Sequence, residues 1–159
     1  MSDHVQVTMR GKSVTLSGVI PEVGSPAPDF SAVTTKMEDF RLSELLGHVV
    51  LVASVPSLDT PTCDVETRRF NQEAAGLDPE IRIVTVSMDL PFAQARWCGA
   101  AGVDRVVTVS DYRDRSFGDA WGLRIREVGL LARAVSVVDR GGVVRYLQVV
   151  QETVEQPDF

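Results

Sequence analysis

The residues of this chain best suited to chemistry are its two cysteines, Cys63 and Cys98, which lie 35 positions apart. Cys63 closes the run Pro56-Ser57-Leu58-Asp59-Thr60-Pro61-Thr62-Cys63. Within it Thr60 is a helix N-cap type. Pro61 suits the first helical position, because its φ is already helical and its missing N–H would have no partner there. Cys63 then falls on the third helical residue, its sulfur beside unpaired N–H groups and the positive end of the helix dipole. Such a setting favours thiolate, the nucleophilic form. A free cysteine titrates near ~8.5, and helix starts with a cationic neighbour lower that by one to several units. Asp64 and Glu66 act the other way if they face the sulfur, and Glu66 shares a helix face with Cys63. The same position equally suits a small cysteine that only fills space.

Cys98 ends a second, shorter helical pattern, and two cysteines at helix ends suggest redox chemistry more than packing. They lack the Cys-x-x-Cys spacing of zinc knuckles and dithiol motifs. The two histidines offer little: His4 lies near the N-terminus and His48 opens a strand, so neither suggests a triad or a metal site. Ser54, Ser57 and Ser87 have no Gly-x-Ser-x-Gly context. Arg124, Arg126 and Glu127 read as a solvated loop face. Arg133 differs, because it opens an otherwise apolar strand where a guanidinium needs a partner: a carboxylate, or a substrate.

The elements that must position these residues follow from hydrophobic period and turn residues. Val5 to Met9 and Ser13 to Leu16 alternate about Arg10-Gly11-Lys12 and read as an N-terminal β-hairpin spanning about residues 4–17. Leu42 to Leu46 is a single helical turn ended by Gly47. His48 to Val55 is almost continuously apolar, as a strand covered on both faces must be. The Cys63 helix follows and stops near Gly76 and Pro79, and Ile81 to Met88 is the next buried strand. A helix opened by Pro91 reaches Cys98 and fails near Gly99 or Gly102; Val106 to Val109 is a strand and Ser116 to Trp121 a short helix. Ala134 to Val138 and Val143 to Val150 flank Asp139-Arg140-Gly141-Gly142, a hairpin signal. Strands alternating with helices give an α/β architecture with a mixed sheet. Right-handed crossovers put the 48–55 strand centrally and Cys63 beyond its carboxyl end, where such sheets carry their sites.

Composition agrees. A chain of 159 residues with 44% hydrophobic and 24% charged side chains is expected to form one domain, residues 1–159, burying about two-thirds of its unfolded surface. A net charge of −6 repels phosphate backbones, which argues against nucleic acid. The absence of a long apolar run or a signal-peptide core argues against a membrane and for the cytoplasm, where thiols stay reduced.

The motif Pro56-x-x-x-Thr60-x-x-Cys63 resembles the active-site motif of the peroxiredoxins, and the wider chain is similar to their thiol peroxidase subgroup, the atypical two-cysteine peroxiredoxins. Leu90-Pro91-Phe92-Ala93-Gln94, Trp97-Cys98-Gly99-Ala100, Gly129-Leu130-Leu131-Ala132-Arg133-Ala134 and the N-terminal hairpin carry the likeness along nearly the whole chain. The resemblance implies a thioredoxin-like fold: a central mixed β-sheet flanked by helices, with the hairpin added. It implies that Cys63 is the peroxidatic cysteine and Cys98 the resolving cysteine of the same chain. Thr60 and Arg133 would complete the peroxide pocket, and Pro56 would shape and shield it. It further implies a hydroperoxide substrate, thioredoxin as reductant, a homodimer, and no metal or organic cofactor. The subgroup also has about three more residues between the positions of Ile125 and Arg133, and a C-terminal helix after the position of Phe159.

On that reading the Cys63 thiolate cleaves the O–O bond and becomes a sulfenic acid, which condenses with Cys98 to a disulfide. Disulfide geometry requires Cα atoms within about 7 Å, so local unfolding around one or both cysteines is expected. Leu90, Pro91, Phe92 and Trp121 are either an apolar collar for organic hydroperoxides or ordinary core and hinge packing. Two other functions share parts of this pattern. A peroxide sensor or relay would use the same thiolate but turn over poorly with thioredoxin. A non-enzymatic thioredoxin-like interaction domain would have inert cysteines.

Overall fold

The computed structural model describes residues 7–9, 12–58, 81–101 and 107–150. Thr60, Cys63, Asp64, Glu66 and the helix expected to carry them lie outside the described residues, as does His4.

Two faces of one sheet organise the chain. The strands are β1 (Val7–Met9), β2 (Lys12–Val14), β3 (Leu16–Ser17), β4 (Ser31–Thr34), β5 (Asp39–Arg41), β6 (Val49–Ser54), β7 (Ile81–Ser87), β8 (Val107–Ser110), β9 (Arg124–Ile125), β10 (Leu130–Leu131), β11 (Ala134–Val138) and β12 (Val144–Val149); the helices are α1 (Pro91–Ala101) and α2 (Ser116–Trp121). The large sheet runs β12-β11-β6-β7-β8-β4-β5. It is mixed. β6, β7 and β8 are parallel, whereas β11 and β12 on one side and β4 and β5 on the other are antiparallel to their neighbours.

Because side chains alternate along a strand, the apolar run of β6 supplies both faces. Val50 and Val52 join Val84, Val86, Phe117 and Trp121 in the main core, under α2. Leu51 and Ala53 join Ile83, Val135 and Trp97, under α1. The expectation of a strand covered on both sides is met, and β6 is an interior strand. Trp121 takes the core reading of the two the sequence offers. Its ring stacks on Phe117 at 5.4 Å, Phe117 meets Phe30 edge-on at 4.9 Å, and its Nε1 donates to the Pro28 carbonyl at 2.9 Å. It is 1% exposed and takes no part in a collar.

Smaller elements differ more from the sequence reading. β1 and β2 form the expected hairpin, with Met9 opposite Lys12, so Lys12 belongs to the strand and not to the turn. The chain then leaves that pair: Leu16 and Ser17 pair with Ile125 and Arg124 in a three-stranded ribbon with β10. Arg124 is therefore a strand residue, bonded to Asp119 at 2.9 Å and to the Ser17 hydroxyl at 3.1 Å, and not part of a solvated loop. The ribbon is seated through two glycines. At Gly122 (φ +66°) a Cβ would lie 2.5 Å from the Val19 carbonyl carbon, and at Gly18 (φ +83°) 2.6 Å from the Asp119 oxygen. Only glycine permits that approach. α1 continues through Gly99 to Ala101, past the first stop expected for it.

Candidate active site

The site is built where the parallel strands end. The β6 ladder finishes at Ser54, and Ala134, the first residue of β11, lies opposite it. This antiparallel pairing returns Ala132 and Arg133 to the point where the chain leaves β6 for Val55 and Pro56. The Ser54 hydroxyl fixes the junction by donating to the Ala132 carbonyl at 2.7 Å, and Val150 N–H donates to the Arg133 carbonyl at 2.9 Å. Pro56 is buried and Arg133 is 1% exposed. Two of the residues picked out in the sequence, far apart in the chain, are thus brought to one end of the sheet. An arginine taken this far out of water is costly unless its charge is used.

Beyond Pro56 the chain has left the ladder; its last sheet-like bond is Val55 N–H to the Val86 carbonyl at 3.0 Å. The next hold is the carboxylate of Asp89, just past the end of β7. One oxygen accepts the Ser57 hydroxyl at 2.7 Å; the other accepts Leu58 N–H and the Ser87 hydroxyl, both at 2.8 Å. Ser87 Oγ in turn accepts Gln94 Nε2 at 2.9 Å, and the same amide nitrogen donates to the Val109 carbonyl at 2.8 Å. Gln94 is fully buried, which ties α1 to the ends of β7 and β8.

The helix that carries Cys98 is packed on this loop. Trp97, the residue before Cys98, lies against Val55 and Leu58. The segment running toward Cys63 and the helix bearing Cys98 are therefore neighbours. At the start of that helix Pro91 is buried, while Leu90 and Phe92 are 52% and 69% exposed. Neither Asp89 nor Gln94 stood out in the sequence as a site residue. The available signal was polar side chains, Ser87, Asp89 and Gln94, placed where the pattern calls for apolar strand and helix faces.

A buried carboxyl group lies at the same end of the sheet, beyond half-buried Asp89. Asp111, directly after β8 and 1% exposed, accepts the N–H groups of Phe117 and Gly118 at 2.9 and 2.8 Å. Burial pushes its pKa up to about 6, against the pull of those two hydrogen bonds. It holds the first turn of α2. Among the described residues no group of three His, Cys, Asp or Glu side chains is arranged to bind a metal ion.

Comparison with known proteins gives the architecture a context. Residues 22–159 match the family model described as Redoxin. The chain is 48% identical to a thiol peroxidase of Bacillus subtilis (strain 168), covering 97% of this chain and 92% of that protein. It is 47% identical to a thiol peroxidase of Clostridium acetobutylicum, covering 98% and 93%. Among solved structures, a peroxiredoxin-like protein from Aquifex aeolicus superposes with a TM-score of 0.91 at 38% identity, covering 97% of this chain and 91% of that one. A thiol peroxidase from Chromobacterium violaceum shares the fold with a TM-score of 0.88 at 21% identity, covering 98% and 91%.

Proposed function

The chain belongs to the Redoxin family and is a thiol-dependent peroxidase of the peroxiredoxin type with a thioredoxin-like fold, and from that premise we propose that Cys63 is its peroxidatic nucleophile and Cys98 its resolving partner. The Cys63 thiolate attacks one oxygen of a hydroperoxide. The O–O bond breaks, the other oxygen leaves as water or an alcohol after taking a proton, and the sulfur becomes a sulfenic acid. Charge grows on the departing oxygen, so donors fixed in advance around it lower the barrier; one such donor is worth roughly 3–4 kcal/mol. Arg133 and the Thr60 hydroxyl, with N–H groups at the helix start, are assigned that work, and Pro56 shields the sulfur from water.

Cys98 then condenses with the sulfenic acid, releasing water and forming an intrachain disulfide. Thioredoxin reduces the bridge, its own dithiol being oxidised in exchange. The same premise extends to one domain over residues 1–159, a homodimer, and a cytoplasmic setting in which the reductant is present.

The observation that carries this assignment is that buried Arg133 and buried Pro56 lie at the same end of the sheet, Pro56 three positions before the segment that begins with Asp59 and holds Cys63. Intact-mass analysis and peptide mapping test it, with fully reduced protein given one equivalent of cumene hydroperoxide. The expected product has lost two hydrogens, mapped to a Cys63–Cys98 bridge within one chain. An unchanged mass would refute the assignment.

A further inference from the structure

We propose that Asp89 is a positioning residue for the peroxidase reaction: its carboxylate fastens the Ser57-Leu58 loop, and through it the segment leading to Cys63, to the start of the helix that carries Cys98. The inference rests on the roles given above to the two cysteines.

Two bonds of this loop converge on one side chain. Past the Val55 N–H bond to the Val86 carbonyl, Ser57 Oγ and Leu58 N–H both donate to Asp89, at 2.7 and 2.8 Å. Asp89 is itself immobilised. The Ser87 hydroxyl donates to its carboxylate, its own N–H donates to Ser87 Oγ at 3.3 Å, and its carbonyl accepts the Ser110 hydroxyl. Gln94 braces Ser87 from within α1. Asp89 thus joins the β6 exit loop to the end of β7 through its carboxylate and meets β8 through its main-chain carbonyl, while Gln94 of α1 holds Ser87. Leu58 sits five positions before Cys63, and it also packs on Trp97, one position before Cys98.

Asp89 acts through the loop and is not assigned contact with peroxide. Attack on an O–O bond needs the sulfur in line, and a displacement of about 1 Å can cost on the order of 10²-fold in rate. Disulfide formation makes a different demand: its geometry needs the two Cα atoms within about 7 Å, and local unfolding around one or both cysteines is the expectation from sequence. A clamp between them therefore favours the first step and not the second. Removing it slows sulfenic acid formation and does not slow its condensation with Cys98.

The test is stopped-flow tryptophan fluorescence on reduced Asp89→Ala, Asp89→Asn and Ser57→Ala proteins, resolving the peroxide phase from the condensation phase. Alkylation of Cys63 against pH in a Cys98→Ser background is measured alongside. Asp89→Ala should lose about 10- to 100-fold in the peroxide phase, with condensation equal to or faster than wild type. Asp89→Asn, whose amide oxygen still accepts Leu58 N–H, should recover part of the loss. Ser57→Ala, which removes the hydroxyl bond to Asp89 and leaves that of Leu58 N–H, should fall between. The alkylation midpoint should move upward in the same order, a change that lowered global stability alone would not produce. If Asp89→Ala does not fold, Asp89→Asn and Ser57→Ala carry the test. Wild-type peroxide rates and alkylation profiles in these variants, while wild type itself reacts, overturn the Asp89 role alone. No peroxide phase in wild type overturns the peroxidatic assignment, and the Asp89 role with it.

Discussion

Replacing Asp111 by asparagine should abolish one defined component of the protein's pH-dependent stability. The carboxyl is buried, and its pKa rises from an ordinary 3.8 to about 6 in the folded chain. Between those values the folded state keeps a proton that the unfolded state has lost. Folding then takes up a proton, and stability falls as pH rises. The contribution is fully present below about 3.8 and gone above about 6. At about 1.36 kcal/mol per pH unit, that interval is worth about 3 kcal/mol. Asparagine does not titrate and keeps one acceptor for the two N–H groups of Phe117 and Gly118, so the variant carries a constant cost of about 1–3 kcal/mol for the unpaired donor.

Urea unfolding of reduced protein, followed by tryptophan fluorescence from pH 3.5 to 7.5, measures both effects; Trp121 stacks on Phe117 and reports on this turn directly. Glu127 and Asp139 are held below the usual carboxylate range, by hydrogen bonds from Thr15 and Arg145 respectively, and they give a slope of opposite sign at lower pH. They are common to both proteins and cancel in the difference. Wild type should exceed Asp111→Asn most at pH 3.5, and the gap should shrink by about 3 kcal/mol by pH 7.5. A gap that is constant, or grows with pH, would refute the reasoning.

Cys63→Ser should lose all peroxidase turnover in a thioredoxin-coupled assay; retained activity would remove the nucleophile assignment. Cys98→Ser should complete one peroxide reaction, leave a sulfenic acid that a dimedone probe traps, and fail to turn over with thioredoxin. Arg133→Met should slow the peroxide phase about 10²- to 10³-fold, and Arg133→Lys should recover only part of this, since it restores charge without the planar donor fork. Gly122→Ala should destabilise the fold by about 2 kcal/mol or more, because its Cβ meets the Val19 backbone at φ +66°; thermal unfolding would show a drop of roughly 5 °C.

What could be read from the sequence was what local pattern determines. β6 and β7 announced themselves as apolar runs, the β11–β12 turn by Gly141-Gly142, and α2 between Ser116 and Trp121. The pairs β4–β5 and β3–β9 did not. They are two to four residues long and flanked by polar side chains; β3 has its hydrogen bonds from distant β9, and β4 pairs with nearby β5 and with distant β8. Arg133 was legible because a charge in an apolar strand is conspicuous. Asp89 was not, because an aspartate before Leu90-Pro91 is ordinary helix-entry chemistry; its three donors come from residues 2, 31 and 32 positions away. Trp121 had two readings, collar or core, and only the fold decides between them: it is buried and stacks on Phe117.

The pairing of Leu16 with Ile125 has a bearing on how the chain is made. These partners are more than a hundred positions apart, and at a synthesis rate of about 5–20 residues per second the ribosome needs on the order of 5–20 s to deliver the second after the first. Val33 and Thr34 wait for Ser110 and Val109, 77 and 75 positions further on. During that interval β3 lacks its partner and β4, paired only with β5, has an open edge, the condition in which chains aggregate or recruit chaperones. Contacts this distant in sequence also slow refolding in vitro, because loop closure must be completed before the contacts repay it. The ribbon that seats the N-terminus is therefore expected to be among the last parts of the nascent enzyme to settle.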